Sequence, residues 1–217
     1  MAAGDIALRP AEALAGGASL ERGLVEECCR GDAQAFARLV ALHEGMVFNL
    51  AARLLGDPEE ARDASQDVFL QVFRTLGRFE GRSSLRTWIF RIVVNHCRNR
   101  QRWWRRRRKD RCCALEDLTA AQEARLPAGA QGESPYEQAR RGEQARLVQA
   151  ALLRLSFDHR AVLILREVQG LSCDQVAAAL RVPEGTVKSR LARAREALRR
   201  ELSGTMEART SIRLMSR

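Results

Sequence analysis

The sequence lacks a long apolar run and contains very little lysine. No stretch approaches the roughly 18 uncharged apolar residues that suggest a membrane-spanning helix, and the N-terminus has no basic segment followed by an apolar one. We therefore predict a cytoplasmic protein. Only Lys109 and Lys188 are lysines among the 37 basic residues, so guanidinium groups suited to phosphates and base edges hold nearly all the positive charge. A GC-rich genome explains the same bias.

The six cysteines do not form a metal-binding or redox motif. Two pairs are adjacent in the sequence, Cys28 with Cys29 and Cys112 with Cys113, and no pair has the spacing of zinc-knuckle ligands. We predict no metal, no cofactor and no catalytic site, with thiols that stay reduced in the cytosol. Redox or metal sensing by a cysteine remains an alternative.

The positive charge is concentrated in two clusters. Residues 100–111 contain eight basic residues and one acid, and residues 186–200 contain six basic residues and one acid. The first cluster also includes Trp103 and Trp104, which suits contact with DNA phosphates or with an anionic membrane surface. Residues 116–137 hold five acids and one Arg together with Pro and Gly, as in a flexible linker. This arrangement predicts two basic modules that hold one polyanion at two places.

The apolar spacing from Leu24 onward predicts a series of amphipathic helices. Apolar residues recur three and four positions apart, and Gly56 is placed to end the helix before it. Asp57 is predicted to cap the next helix, with Pro58 at the first position and Glu60 in capping-box register.

The helix after Pro58 combines an apolar stripe with a polar face. The stripe consists of Ala61, Ala64, Ser65, Val68, Phe69, Val72, Phe73 and Leu76. The polar face consists of Asp63, Gln66, Asp67, Gln71 and Arg74. Such a face is as typical of a solvated surface as of a binding surface.

A loop with one aromatic residue, Phe79, precedes a further helix that Ser83 or Ser84 is predicted to cap. This helix is predicted to bury Leu85, Ile89, Ile92, Val93 and Cys97. A polar track on its other side comprises Thr87, Arg91, Asn95 and Arg98, bordered by Trp88 and Phe90. An aromatic ring beside such residues suits stacking on an unpaired base, although ordinary core packing of Trp88 explains the same pattern.

The strongest local pattern lies beyond the acidic stretch and predicts a helix-turn-helix. Ser172 is predicted to cap a short helix, and a tight turn follows before a second helix that starts near Thr186. The buried stripe of the second helix is predicted to be Val187, Leu191, Ala194 and Leu198. Its exposed side is predicted to hold Thr186, Lys188, Ser189, Arg190, Arg193 and Arg195, which suit base edges and phosphates. A helical hairpin without a DNA-binding role is the alternative.

Three motifs in this order resemble the bacterial extracytoplasmic-function (group IV) sigma factors of the sigma-70 family. The first is Arg53-Leu-Leu-Gly-Asp57 followed by Ala61-Arg-Asp-Ala-Ser-Gln66-Asp67-Val-Phe69. The second is Phe79-Glu-Gly-Arg-Ser-Ser-Leu-Arg-Thr87-Trp88-Ile-Phe-Arg91-Ile, and the third is Gly185-Thr-Val-Lys-Ser-Arg190-Leu-Ala-Arg-Ala-Arg195. The resemblance covers about residues 24–108 and 144–202.

The resemblance implies three sets of functional residues. Asp63, Gln66, Asp67 and Gln71 are implied to dock on the clamp helices of the large subunit of core RNA polymerase. Recognition and melting of the minus-ten element are assigned to Phe79, Arg82, Ser83, Thr87, Trp88, Arg91 and Asn95. Recognition of the minus-thirty-five element is assigned to Thr186, Lys188, Ser189, Arg190, Ala192 and Arg193.

The resemblance also implies an all-α chain of two helical domains joined by a flexible linker. The predicted segments are an extension (1–23), a sigma region 2 domain (24–109), an acidic linker (110–142), a sigma region 4 domain with the helix-turn-helix (143–202) and a tail (203–217). The implied partners are core RNA polymerase, promoter DNA and an anti-sigma factor, with no small-molecule substrate. The protein is expected to be a monomer when free of polymerase.

Two other classes of function were weighed against this one. A stand-alone helix-turn-helix repressor or activator accounts for the C-terminal module but gives no role to the Asp63–Gln71 face or to the Trp88 helix. A nuclease or recombinase requires clustered carboxylates or a Ser or Tyr nucleophile beside arginines. The single tyrosine, Tyr136, lies in the predicted linker. We therefore predict that the chain is not an enzyme.

Overall fold

The computed structural model describes residues 21–110 and 135–215, and all regular structure within these ranges is helical. The N-terminal module contains α1 (21–29), α2 (Ala33–Leu55), α3 (Pro58–Thr75), a 3₁₀ turn (Leu76–Arg78) and α4 (Leu85–Asp110). The C-terminal module contains α5 (Pro135–Arg154), α6 (Phe157–Leu163) with a π-helical continuation (Ile164–Val168), α7 (Cys173–Leu180) and α8 (Glu184–Met215). The prediction of an all-α chain with two helical domains is confirmed.

Some predicted boundaries differ from those of the helices. Helix α5 begins at Pro135, inside the stretch predicted as linker, and α8 continues through most of the predicted tail to Met215. Most of the predicted N-terminal extension, the Cys112–Cys113 pair and most of the acidic linker lie outside the described residues.

The predicted helix ends at Gly56 and Asp57 are confirmed. Gly56 adopts φ +83°, and its N–H bonds to the carbonyl of Ala52, while the Asp57 carboxylate accepts the backbone N–H groups of Glu59 and Glu60. The capping-box role predicted for the Glu60 side chain is wrong, because that carboxylate pairs with Arg100 of α4 instead. Asp32 caps α2 in the same way as Asp57 caps α3, which separates α1 from α2.

Helices α2, α3 and α4 pack around the apolar core of the N-terminal module. The α3 stripe is buried at Ala61, Ala64, Val68, Val72 and Leu76, as predicted, whereas Phe73 is 62% exposed and contacts Phe36 edge-on. His43 lies in this core with 8% exposure. Its burial, together with nearby Arg86, lowers the pKa of the imidazole, so His43 favours the neutral form.

The C-terminal module contains the predicted helix-turn-helix. Ser172 caps α7 and forms a reciprocal capping box with Gln175. The α8 residues Val187, Leu191 and Ala194 are buried against the module, as the stripe predicted. Arg181 ends α7 in the left-handed region at φ +55°, where a side chain is disfavoured.

Because Arg181 adopts this conformation, we expect Arg181→Gly to raise the free energy of unfolding by about 1 kcal/mol. Arg181→Ala removes the same charge but keeps a Cβ, so it serves as the matched control and is expected to give less than half of that gain. Urea denaturation followed by circular dichroism measures both. Equal stabilities for the Gly and Ala variants would show that the backbone conformation stores no strain.

The two modules contact each other along a surface that we call the seam. Helix α4 packs against α7, and α2 packs against α5 and α6. Phe90 and Val94 of α4 are at most 1% exposed, even though they lie off its predicted apolar face. Gly56 also lies at the seam, where a Cβ on it would collide with the side chain of Leu153.

Candidate nucleic-acid and protein-binding surfaces

The predicted polar residues of α3 form one exposed acidic face. Asp63 and Asp67 have side chains that are 67% and 50% exposed, and Gln66 and Gln71 are exposed beside them. Leu70 lies among them and is 53% exposed, which gives the face an apolar centre ringed by polar groups. Protein–protein interfaces commonly have this composition.

Arg100 of α4 holds the acidic face in place. Its guanidinium pairs with Glu60 and approaches Asp63 and Asp67 at 3.3 Å and 3.6 Å. The bond to Glu60 and the neighbouring carboxylates raise the pKa of Arg100. Burial lowers the pKa of His96, and Arg100 lowers it further despite the opposing effect of Asp67, 3.4 Å away.

The loop and helix assigned to the minus-ten element are less open than their sequence suggests. Ser84 caps α4, since its Oγ accepts the N–H of Thr87 at 3.1 Å. Thr87 is only 4% exposed, so the prediction that it lies on a solvent-facing polar track is wrong. Trp88 is 7% exposed beneath Phe79, with ring centroids 5.5 Å apart. The two rings pack with their planes tilted by 56°, and Phe79 is the more accessible of the two.

The other residues of this set lie at different depths. Arg82 is 85% exposed and pairs with Glu80, and Ser83 is partly exposed in the same loop. Asn95 is exposed, whereas Arg91 is partly buried at the seam, where burial and the nearby charge of Arg181 lower its pKa. Thus the structure brings Phe79 and Trp88 together but places Arg91 and Asn95 further along α4.

The α8 residues assigned to the minus-thirty-five element share the first turns of that helix. Lys188, Ser189, Ala192 and Arg193 are exposed, and Thr186 is partly exposed. Lys188 pairs with Glu184 at 2.8 Å, which raises the pKa of its ammonium group. Ser189 donates to the carbonyl of Thr186 at 3.0 Å.

Arg190 differs from its neighbours on α8. It is 28% exposed, and its guanidinium approaches Asp158 of α6 at 3.4 Å. The other oxygen of the same carboxylate accepts from Arg98 of α4 at 3.0 Å. One acidic residue therefore contacts both basic helices.

The basic end of α4 exposes two aromatic rings. Trp103 and Trp104 are 44% and 41% exposed and pack edge to face, 5.1 Å apart. The guanidinium of Arg107 lies 4.2 Å above the Trp103 ring, a cation–π contact. Both rings are therefore accessible, as the surface contact predicted for this basic cluster requires.

The structure identifies four residues that the sequence analysis did not select: Leu70, Arg100, Asp158 and Arg181. Leu70 had a usable signal, because it lies off the apolar stripe and within one turn of Gln66 and Asp67. The other three contact groups that are distant in sequence, and no local spacing marks such contacts.

The described ranges show no cluster of three metal-ligating side chains and no helix long and apolar enough to cross a membrane. Cys97 is fully buried, and burial raises the pKa of its thiol to about 12. Burial also raises the pKa of Cys28. Both thiols are therefore poor nucleophiles, since the thiolate is the reactive form.

Comparison with known families matches residues 39–110 to Sigma-70 region 2 and residues 145–198 to Sigma-70, region 4. The chain is 36% identical over 186 residues to the RNA polymerase sigma-H factor of Pseudomonas aeruginosa, a match covering 84% of this chain and 93% of that protein. It is 29% identical to the ECF RNA polymerase sigma factor SigW of Bacillus subtilis, across 82% of this chain and 94% of the relative.

Two solved structures share the fold of this chain. The sigma factor RpoE, co-crystallised with the anti-sigma factor NepR from Bartonella quintana, is 27% identical with a TM-score of 0.61, over 77% of this chain and 96% of that one. CnrH, in complex with the cytosolic domain of CnrY, is 29% identical with a TM-score of 0.56, over 86% of this chain and 97% of that one.

Proposed function

Since the chain belongs to the ECF sigma factors of the sigma-70 family, which direct RNA polymerase to specific promoters, we propose how its surfaces divide that task. Sigma factors are regulatory proteins rather than catalysts. The observation that supports the proposal best is that the acidic face of α3 and the basic face of α8 are both exposed, on separate modules.

The acidic face docks on the clamp helices of the large polymerase subunit. Its exposed carboxylates supply long-range attraction to a basic partner, and Leu70 supplies an apolar contact at the centre. Arg100 acts as a positioning residue, because it orients two of the carboxylates before the partner arrives.

The loop around Phe79 and the exposed part of α4 recognise and melt the minus-ten element. A base that leaves the duplex loses its stacking, and an aromatic contact replaces part of it. Phe79 covers Trp88, so Phe79 is the ring that a base reaches first. Arg82 is free of the core and lies in the same loop, where it can approach a phosphate.

The first turns of α8 enter the major groove at the minus-thirty-five element. Lys188 and Arg193 are exposed there, and a guanidinium matches the two acceptors of guanine. Ala192 leaves room for the helix to approach the bases closely. Arg199 and Arg200 are exposed further along α8 and can contact phosphates.

An anti-sigma factor is a further proposed partner. Both solved structures that resemble this chain contain a second protein, the anti-sigma factor NepR in one and the cytosolic domain of CnrY in the other. A cytoplasmic location, and a monomeric state in the absence of polymerase, complete the proposal.

Transcription with purified components tests this function. Core RNA polymerase is incubated with the protein and a library of templates in which both promoter elements are randomised, and the transcripts are sequenced. We expect initiation from templates that share two sequence elements. If the protein binds specific duplexes yet gives no promoter-specific transcript with core polymerase, a stand-alone helix-turn-helix regulator accounts for it better.

Arg193→Ala tests base recognition by α8. If Arg193 contacts a base edge, we expect a loss of about 1–3 kcal/mol in discrimination at one upstream position, about 5- to 150-fold. The measurement is the affinity for duplexes that differ at single positions, at several salt concentrations. Arg199→Ala removes the same charge six residues further along the helix and is expected to weaken all duplexes alike. The same uniform weakening with Arg193→Ala would assign that side chain to phosphate contact.

A further inference from the structure

The end of α4 exposes side chains to which the proposed division of promoter recognition gives no role. Cys97 is the last fully buried side chain of α4 that the structure describes, and the helix continues to Asp110. We call its final ten residues, 101–110, the basic arm; they include six basic residues and one acid. At a helical rise of about 1.5 Å per residue, the arm extends about 15 Å beyond Arg100.

The described arginines of the basic arm have no acidic partner. Arg100, just before the arm, pairs with acids of α3. Arg102, Arg106 and Arg107, by contrast, are exposed and form no ion pair with any residue that the structure describes. Positive charge that is concentrated and uncompensated in this way attracts a polyanion.

Two tryptophans on the same arm give it an apolar surface as well. Trp103 and Trp104 are 44% and 41% exposed. Arg107 follows them by four and three positions, so the three side chains share one face of the helix. Its guanidinium lies 4.2 Å above the Trp103 ring. This face therefore presents two indole rings with a cation between them.

We propose that the basic arm binds the surface of an anionic phospholipid bilayer. The indole rings of Trp103 and Trp104 lie at the level of the headgroups, where an apolar ring with one N–H donor is favoured. The arginines bind lipid phosphates and are attracted by the negative surface potential of the cytoplasmic leaflet. Binding is reversible, because only two rings enter the interface and no segment of the arm spans the bilayer.

The two tryptophans favour a bilayer over a nucleic acid as the partner. Duplex DNA offers phosphates to the arginines, but its bases are paired and stacked, so it offers the indole rings little apolar surface. A single strand binds by stacking its bases on open aromatic faces. On Trp103 one such face is already covered by the guanidinium of Arg107. A bilayer surface uses both the charge and the rings as they stand.

This site is independent of the promoter-reading roles proposed above. None of the residues assigned to the acidic face, to the minus-ten element or to the minus-thirty-five element belongs to the basic arm. The proposal therefore adds a second location for the free protein, at the inner surface of a membrane. Because the attraction is largely electrostatic, we expect binding to weaken as the salt concentration rises.

Cosedimentation of the full-length protein with vesicles tests the proposal. The vesicles contain phosphatidylglycerol and phosphatidylcholine in equal parts, or phosphatidylcholine alone, and we expect binding to the first kind only. Arg106→Gln/Arg107→Gln is expected to weaken binding about 30-fold, because two basic residues leave the membrane surface. Trp103→Ser/Trp104→Ser is expected to weaken it at least about 10-fold, since both apolar rings are lost.

Two control variants make matched changes elsewhere on the surface. Arg199→Gln/Arg200→Gln removes the same charge from side chains that are 72% and 74% exposed on α8. Leu42→Ser removes an apolar side chain that is 68% exposed on α2. Both are expected to bind vesicles within about 3-fold of the wild type. Losses equal to those of the arm variants would show that the arm is not a specific site and would overturn the proposal.

Tryptophan fluorescence shows whether the rings enter the lipid. The chain has three tryptophans, and the third, Trp88, is only 7% exposed. Vesicles with brominated acyl chains are therefore expected to quench the emission of the wild type but not that of Trp103→Ser/Trp104→Ser. Unquenched emission from wild-type protein bound to the vesicles would contradict the proposed position of the rings.

Binding to nucleic acids separates this proposal from the main alternative. The ligands are a duplex without promoter elements and a single strand of the same length. If Trp103→Ser/Trp104→Ser binds vesicles like the wild type but loses affinity for either nucleic acid, the arm is a nucleic-acid contact and the proposal is wrong.

Promoter-specific transcription with core polymerase separates the membrane site from the proposed initiation function. We expect Trp103→Ser/Trp104→Ser to initiate as well as the wild type. Impaired initiation together with unchanged vesicle binding would assign the arm to DNA and overturn the membrane site. A wild type that binds vesicles through the arm but gives no promoter-specific transcript would leave the membrane site in place and exclude the proposed initiation function.

Discussion

The double variant Asp63→Arg/Asp67→Arg is expected to abolish binding to core RNA polymerase, with a loss of affinity of at least about 100-fold. Close charge pairs at protein interfaces have coupling energies of about 1.5–7 kcal/mol, and this variant reverses two charges that border the apolar centre of the proposed docking face. It also places two new cations beside Arg100, so that residue no longer orients the face. Biolayer interferometry with immobilised core polymerase measures the loss.

The matched control for this variant is Glu26→Arg/Glu44→Arg. Both glutamates are exposed on the same module but lie outside α3, and the net charge change is identical. The control is expected to bind within about 3-fold of the wild type, because scattered surface charges mainly affect long-range attraction. Circular dichroism verifies that both proteins are folded. Wild-type affinity for the Asp63/Asp67 variant would exclude the acidic face as the docking surface.

The second large effect is expected from Arg160→Ala, which should lower the free energy of unfolding by about 3–5 kcal/mol. Arg160 is only 2% exposed, and its guanidinium donates to the carbonyls of Leu54, Leu152, Leu153 and Leu155. Truncation leaves these buried acceptors without their donor and creates a cavity beside them. Urea denaturation of the full-length protein measures the change.

Two further variants define the origin of this loss. Arg160→Lys keeps the charge but not the planar fork, so we expect about half of the destabilisation of Arg160→Ala. Arg154→Ala removes an arginine that is 63% exposed on α5, and it is expected to change the stability by less than about 0.5 kcal/mol. If Arg160→Ala were no more destabilising than Arg154→Ala, the hydrogen bonds of the Arg160 guanidinium would not stabilise the contact between α2 and the C-terminal module.

Arg160 also shows why part of the fold escaped the sequence analysis. No local spacing singles out this residue, because nothing in its neighbourhood distinguishes a buried guanidinium from a solvated one. Its bond to Leu54 spans 106 positions of the chain. By contrast, Gly56 and Asp57 act on groups within four residues, and those two helix ends were predicted correctly.

The predictions for the candidate sites also succeeded on one helix and were incomplete on another. On α8 most of the buried stripe and of the exposed basic face was predicted correctly, because one side of the helix packs against its own module; Arg190 is the exception, since it pairs with Asp158. On α4 the prediction of one buried face was incomplete. Phe90 and Val94, which lie off that face, are also buried, and Phe79 packs against Trp88.

The sequence by itself determined most of the helices, the caps at Asp57 and Ser172, the order of the modules and the family, since these depend on spacings within a few turns. Only the tertiary structure decided which polar groups are available for binding. At the seam, Asp158 pairs with two arginines and Arg160 is buried. At the start of α4, the backbone N–H of Thr87 donates to the Ser84 hydroxyl, and the Thr87 side chain is buried. These contacts depend on how apolar faces from distant segments meet, because burial and charge pairing are properties of the assembled surfaces.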